Sequence, residues 1–200
     1  GGGEGRMTRA LLQHDVTVTT IEIDTRCCET LEALARDSAG KLSVIHSDVL
    51  KYDPPASGES QLRLVGNLPY AIASPILRWT VKHHKIVFDA YYMVPIDIAK
   101  RILARAGSSE RALLSVLVGW CFDGKVIRRL GPGAFRPEPK IKSAFVHLQP
   151  HEPPVCTAHK QHRRAVVQGG FAHRRKTLLN SLRQSGWQRN EIERAFATIG

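Results

Sequence analysis

The sequence predicts an α/β fold: an open, mostly parallel sheet flanked by helices, followed by a small helical domain. Three observations predict it. Short β-branched runs alternate with helix-length segments up to about residue 150. Successive strand ends carry Gly, Glu, Asp and Asn, residue types that meet a ligand beyond the carboxyl edge of such a sheet. Finally, Gln149-Pro150-His151-Glu152-Pro153-Pro154, which neither a regular helix nor a central strand tolerates, precedes a basic, helix-forming stretch. The expected domains are 1–150 and 151–200.

Gly1-Gly2-Gly3-Glu4-Gly5-Arg6-Met7-Thr8 runs into Ala10-Leu11-Leu12. Such a turn lets a ligand approach the backbone, and the helix start that follows favours an anionic group; a disordered remnant is the other reading. Residues 16–21 form a strand by β-branched content and end in Glu22-Ile23-Asp24. An acidic residue about twenty positions after a glycine turn is the usual acceptor for ribose hydroxyls. A helix over 26–37 leads to a strand over 42–46 that ends in Ser47-Asp48-Val49. Asp48 either accepts from an adenine amino group or caps a turn. After the strand 62–66 comes Asn67-Leu68-Pro69-Tyr70, then a helix over 72–81 with Pro75 in its first turn and a buried strand over 88–94. Helices over 95–104 and 113–121 and closing strands over 126–130 and 144–148 complete this part. Beyond the proline break, helices are expected near 157–167, 174–184 and 190–199, with Trp187 and Phe196 as their small core.

Asn67-Leu68-Pro69-Tyr70 carries the most specific chemistry in the chain. The amino group of adenine is a poor nucleophile because its lone pair is delocalised into the ring. The Asn67 side-chain carbonyl and the Leu68 backbone carbonyl can both accept from that amine, drawing it toward tetrahedral geometry and freeing the lone pair. Pro69 fixes φ and has no N–H, so the loop is stiff and presents acceptors. Tyr70 can stack on an extruded base. A strand followed by a plain turn would also fit the tetrapeptide, but the residues at the other strand ends weigh against it.

With these residues in this order, the chain resembles the bacterial small-subunit ribosomal RNA adenine N6-dimethyltransferases. Two further blocks carry the resemblance. Phe135-Arg136-Pro137-Glu138-Pro139-Lys140-Ile141-Lys142-Ser143 is similar to the family's Phe-x-Pro-x-Pro-Lys-Val-x-Ser block, and Arg174-Arg175-Lys176-Thr177 to its Arg-Arg-Lys-Thr signature. The resemblance implies a Rossmann-like S-adenosylmethionine-dependent methyltransferase that dimethylates two adjacent adenosines near the 3′ end of small-subunit ribosomal RNA during subunit maturation. It implies that Glu22 holds the cofactor ribose, Ile23 packs on its adenine, Asp48 binds the adenine amine, and Gly1 and Gly3 admit the methionine end. Asn67, placed between cofactor and target, would serve both. Asn67, Leu68, Pro69 and Tyr70 would then line the target amine during direct in-line attack on the sulfonium methyl. The resemblance also implies that Phe135 forms the far side of the base pocket; a hydrophobic loop anchor is its other reading. The implied partner is ribosomal RNA in a pre-ribosomal particle, bound by a cytoplasmic monomer that holds no metal.

Composition agrees with a polyanionic partner. The net charge is +11, and residues 151–200 hold nine Lys/Arg against three Asp/Glu, so the last quarter carries over half of that charge. Arg163, Arg164, Arg174, Arg175 and Lys176 fit either a solvated helical surface or, beside the motifs above, a phosphate-contacting one. Lys140 and Lys142 are further phosphate contacts. Cys27, Cys28, Cys121 and Cys156 show no metal-ligand spacing, which argues against zinc and for reduced thiols. No apolar run is long enough to span a membrane, and there is no signal-peptide pattern. None of the nine histidines is assigned chemistry.

Against the family pattern, the chain begins inside the glycine turn and stops short of a final helix, so it is expected to be a piece of a longer protein, lacking a strand before Gly1. Gly2 stands where Pro is common, Ala71 where Asn often follows the Tyr, Val94-Pro95-Ile96-Asp97 where Gln-Lys-Glu is usual, and Arg111-Ala112-Leu113-Leu114 where Tyr-Gly-Arg-Leu is. These departures bear on substrate handling more than on the amine acceptors. Three alternatives remain. The related macrolide-resistance methyltransferases of large-subunit RNA are disfavoured by Leu68 and by Arg174-Arg175-Lys176-Thr177. DNA or protein-amide methyltransferases with Asn-Pro-Pro-Tyr have Pro where this chain has Leu68. Against a non-catalytic ribosome-assembly factor that only binds RNA stand Asn67 and Glu22.

Overall fold

Two β-branched runs become β1 (Val18–Glu22) and β2 (Leu42–His46), which pair in parallel from Val18 with Leu42 to Glu22 with His46. Parallel neighbours need a crossover, and α2 (Thr25–Arg36) supplies it. Asp24 starts that helix, its Oδ1 accepting from the Arg26 and Cys27 amides at 2.9 and 3.4 Å. Ahead of β1 the glycine turn leads into α1 (Arg6–Leu12), with Gly5 at φ 77° as its N-cap. The computed structural model describes residues 1–55, 62–131, 133, 141–152, 160–173 and 175–199, and of 160, 161 and 199 the backbone alone.

The second unit repeats the pattern. β3 (Leu62–Asn67) and β4 (Val87–Pro95) pair in parallel across α3 (Ala73–Lys82). Next come α4 (Ile96–Ile102), α5 (Leu113–Gly119) and the strands β5 (Phe122–Leu130) and β6 (Ser143–Pro150). The strand order is β3-β4-β6-β5, with β6 antiparallel to both neighbours. The sheet is therefore less parallel than expected. Among the described residues there are two sheets, with parallel ladders β1–β2 and β3–β4 and antiparallel ladders on either side of β6. β5 also starts earlier than predicted. Asp123 and Gly124 are poor strand formers, but pairing with Gln149 and Leu148 of β6 holds them extended.

One face of the four-stranded sheet makes the core. Ala90, Tyr92 and Val94 alternate along β4 and Ala144, Val146 and Leu148 along β6, all buried. They join one cluster with Leu77 of α3, Ala99 and Ile102 of α4 and Val118 of α5. On the opposite face Asp89, 2% exposed, is held by Arg63 through a two-point pair of 2.7 and 2.8 Å. The first unit is tied to α3 by the segment after β2, where the Tyr52 carbonyl accepts from Trp79 Nε1 at 2.8 Å and Asp53 pairs with Lys82 at 2.6 Å.

At the carboxyl-terminal end lie α6 (Lys160–Ala172), α7 (Leu178–Gln184) and α8 (Arg189–Ile199). α6 and α7 approach closely because Gly169 faces Ser181, whose Oγ donates to the Gly169 carbonyl at 2.6 Å. A Cβ on Gly169 would lie 3.0 Å from that of Ser185. Among the described residues Leu182 and Ile192 are the buried hydrophobic side chains here, while Phe196 is 39% exposed. The expected Trp187–Phe196 core is thus corrected: the small aliphatic residues fit between close helices, and Trp187 stands edge-on to His162 at 5.0 Å. Thr177 caps α7 through the Asn180 amide at 3.4 Å, so the helix starts after the Arg175-Lys176 block rather than at 174.

Gly124 is the tight point between β5 and the core. A Cβ there would lie 2.4 Å from Leu103 Cδ2 and 3.0 Å from Leu148 Cδ2, and Leu148 is fully buried. Gly124→Ala should therefore lower stability by about 1–3 kcal/mol, the usual cost of overpacking, read as a lower urea midpoint. A midpoint equal to that of the unsubstituted chain would show that the leucines yield freely.

Candidate active site

The carboxyl end of β3 is built from its pairing with β4. Asn67 is in register with Met93, and the Leu68 amide extends the ladder one residue further by donating to the Met93 carbonyl at 3.0 Å. The Leu68 side chain turns back into the core, 6% exposed. Gly66 permits this, since a Cβ there would lie 2.9 Å from Leu68 Cδ2. Pro69, at φ −56° and ψ 132°, then lifts the chain into a 3-10 turn, Tyr70–Ile72, closed by the Ile72 amide on the Pro69 carbonyl at 3.0 Å. Asn67 is left exposed at the strand end. Among the described residues no hydrogen bond engages its side chain or the Leu68 carbonyl. Two acceptors therefore stand open on a fixed backbone, beside Tyr70, a residue that is 38% exposed.

A second group forms at the ends of β1 and β2. Glu22, 7% exposed, accepts from the Gly3 amide at 2.9 Å, the Ile23 amide at 2.7 Å and the Asp24 amide at 3.0 Å. The glycine turn is thus fastened to the strand end by one carboxylate, with Gly3 at φ 50°. Burial works to raise the Glu22 pKa, but the three amide hydrogen bonds outweigh it and hold the carboxyl below its ordinary value. Ile23, next along, is 65% exposed. Across β2, Asp48 Oδ1 accepts from the Leu50 amide at 2.9 Å. Asp48 therefore caps a turn with one oxygen, and the other oxygen faces no donor among the described residues.

The structure brings Gly1 and Gly3 together with Glu22, since a Cβ on Gly1 would lie 3.1 Å from Glu22 Oε2, and it places Asp48 one strand over. Lys142 is exposed immediately before Ser143 of β6. Arg164, Arg175 and Lys176 are exposed. Arg163 differs from them: it is half-buried, with its guanidinium 5.6 Å from the centre of the Trp120 ring. Phe135, Lys140 and Arg174 lie outside the described residues, as do the rest of the Phe135–Lys140 block and residues 157–159 of the expected helix.

Three residues at the site were given no role there by the sequence. Gly2 is the tightest of the opening glycines, since a Cβ would meet Thr20 Cγ2 at 2.3 Å and Leu31 Cδ1 at 2.9 Å. His46 Nε2 lies 3.2 Å from the Ile23 carbonyl and helps fix the strand end. Ser143 contacts the Tyr70 hydroxyl; its place at the end of the Phe-x-Pro-x-Pro-Lys block was the available signal. Among the described residues no group of His, Cys, Asp or Glu is arranged to hold a metal, and no helix is long and apolar enough to cross a membrane.

Glycine turn, buried strand-end glutamate, exposed isoleucine and Asn-Leu-Pro-Tyr, in this order on an α/β sheet, are the features by which the chain resembles a class of amine methyltransferases. Comparison with known proteins narrows the class. The ribosomal RNA adenine dimethylase model matches residues 1–197, and the chain belongs to that family. It is 41% identical over 186 residues to "Ribosomal RNA small subunit methyltransferase A" of Xanthomonas oryzae pv. oryzae, covering 91% of this chain and 70% of the relative. The protein of the same name from Francisella tularensis is 33% identical, covering 92% and 71%. Among solved structures, a dimethyladenosine transferase from Plasmodium falciparum superposes with a TM-score of 0.75 at 26% identity, covering 90% of this chain and 64% of that one. The 23S rRNA methyltransferase ErmE superposes with a TM-score of 0.72 at 25% identity, covering 98% and 78%.

Glu22 makes stability depend on pH in a defined direction. Its folded pKa is depressed, so its contribution is full above the ordinary glutamate value of 4.5 and is lost as pH falls through the lower folded value. The stability difference between the native chain and Glu22→Gln should shrink as pH is lowered from 5 toward 3 (roughly the range in which depressed carboxylates titrate). Thermal melts of both across this range test it. A difference that grows on acidification would mean that the carboxylate is not held by these amides.

Proposed function

We propose that this chain acts in S-adenosylmethionine-dependent N6,N6-dimethylation of two adjacent adenosines near the 3′ end of small-subunit ribosomal RNA, within a maturing subunit in the cytoplasm. The observation that carries the proposal is the fixed Asn67-Leu68-Pro69-Tyr70 turn, with two open acceptors at the carboxyl end of β3, in a member of this family. Relatives named for small-subunit RNA at 33% to 41% identity support that substrate over the large-subunit RNA named for ErmE, and Leu68 within the turn agrees.

The residues fit the cofactor. A carboxylate has about four lone-pair sites, so Glu22 keeps capacity for a ribose hydroxyl beyond its three amide partners. Ile23 offers an exposed apolar surface to the adenine, Asp48 an acceptor to its amine, and Gly3 an open approach, since nothing lies within 4 Å of where its Cβ would be. When bound, S-adenosylmethionine supplies a methyl group on a positively charged sulfur. Asn67 Oδ1 and the Leu68 carbonyl accept the two N–H groups of the target amine and turn its lone pair toward that methyl. No strong base is needed to begin, because the ammonium formed on transfer is acidic and gives its proton to these acceptors or to water. Catalysis then rests on positioning and preorganised dipoles.

The division of labour we propose follows the chain. Residues 1–150 hold the cofactor and the target base, and 151–200 contact RNA through Arg164, Arg175 and Lys176, with Lys142 adding a contact beside the base site. Arg163 is assigned instead to joining α6 to Trp120.

Asn67→Ala should lower methyl transfer by roughly a hundredfold or more, as for loss of one preorganised transition-state hydrogen bond, while cofactor and RNA affinities hold. Single-turnover transfer of labelled methyl to immature small subunits measures this; transfer at the native rate would sink the amine-activation reading and leave the RNA-binding factor in its place. On the RNA side, Arg164, Arg175 and Lys176 replaced together by Ala should weaken RNA binding and flatten its salt dependence, because each phosphate contact releases counterions. An unchanged slope of log affinity against log salt would make them a solvated face only.

A further inference from the structure

Tyr70 is held at both ends, and the second hold comes from far along the chain. Its backbone is set by Pro69 and the 3-10 turn. Its hydroxyl lies 2.7 Å from Ser143 Oγ, 73 residues away in sequence. Ser143 has no solvent exposure. It is in register with Pro95 of β4 on one side and Leu130 of β5 on the other, so strands on both flanks fix its position. The Ile96 amide donates to the carbonyl of neighbouring Lys142 at 2.9 Å, which ties the start of β6 to the start of α4 as well.

A tyrosine on a loop turns about χ1 and χ2. Pro69 restrains the backbone but not those torsions. A hydrogen bond at the far tip of the ring restrains them, and it does so at the edge, without itself covering either face. Tyr70 is nevertheless 38% exposed, so the anchor does not bury it. We infer that Ser143 is a positioning residue, which holds the Tyr70 ring at the angle at which it receives the target base. The inference rests on the proposed role of Tyr70 in stacking on that base. It also gives a physical reason for a serine at this place. Alanine would lose the anchor, and threonine would add a methyl group at a position with no solvent exposure.

Ser143→Ala and Tyr70→Phe each delete one half of the same hydrogen bond while keeping the ring. With immature small subunits and saturating S-adenosylmethionine, each should slow single-turnover transfer by about tenfold to a hundredfold, the range for misplacing a positioned group. The double variant should be no slower than either, and cofactor affinity should be unchanged. With 2-aminopurine at the target position, both variants should show the same reduced quenching of its fluorescence, which a general loss of stability would not produce. Losses that add in the double variant, native quenching in Ser143→Ala, or a Tyr70→Phe variant that transfers at the native rate would each overturn the inference. Tyr70→Phe keeps the test decisive should Ser143→Ala fail to fold. Tyr70→Ala separates the two levels. If it is slow while Tyr70→Phe is native, the anchor fails and the stacking role stands; if it transfers at the native rate, the stacking role fails and the anchor with it.

Discussion

The hydrogen bond from the Leu68 amide to the Met93 carbonyl is the constraint on which the candidate site depends. It carries the β3–β4 ladder one residue beyond the strand, so the turn begins from a backbone that cannot rotate. Leu68 buries its side chain on the core side, which leaves its carbonyl no way to swing inward. Asn67 is in register with Met93 and cannot slip without moving every side chain of β3 to the other face of the sheet. A pair of acceptors polarises an amine only if both point at it; this bond holds the backbone that carries both, while the Asn67 side chain still turns about its own torsions.

The cofactor side rests on a different compromise. Glu22 is buried, which disfavours its charge, and it is compensated by three backbone amides rather than by a cation. Such a carboxylate stays ionised and directional, as an acceptor for hydroxyl groups must. The same contacts gather the glycine turn against β1, where a side chain at Gly2 would have to displace those of Thr20 and Leu31. On the proposed reading the atoms that hold the turn also meet the ribose, so a change at Glu22 would alter recognition and local stability together.

Charge in this chain is sorted by its surroundings. Arg63 is committed to Asp89 across the sheet face away from the helices, and Arg163 to the Trp120 ring at the end of α5. Arg164, Arg175 and Lys176 are exposed and have no such side-chain partner among the described residues. A polyanion would meet the second set, because a guanidinium already spent on a buried carboxylate or an aromatic face has less to offer a phosphate.

Much of this was legible in the sequence because it depends on neighbours in the chain. β-branched and apolar runs gave β1 to β4 within a residue or two, the proline break fell where β6 ends, and the fixed φ of Pro69 marked the turn that follows β3. Glu22 at the end of β1 was readable from its spacing to the glycines alone. The tertiary structure decided what depends on pairing between distant residues. It placed β6 between β4 and β5, kept Asp123 and Gly124 in a strand that their propensities oppose, and moved Phe196 out of the core that sequence assigned it. It also gave Arg163 to Trp120 and the Tyr70 hydroxyl to Ser143. Local rules fix which groups a segment can present, but strand register and helix packing fix which of them meet, and neither is encoded within any one segment.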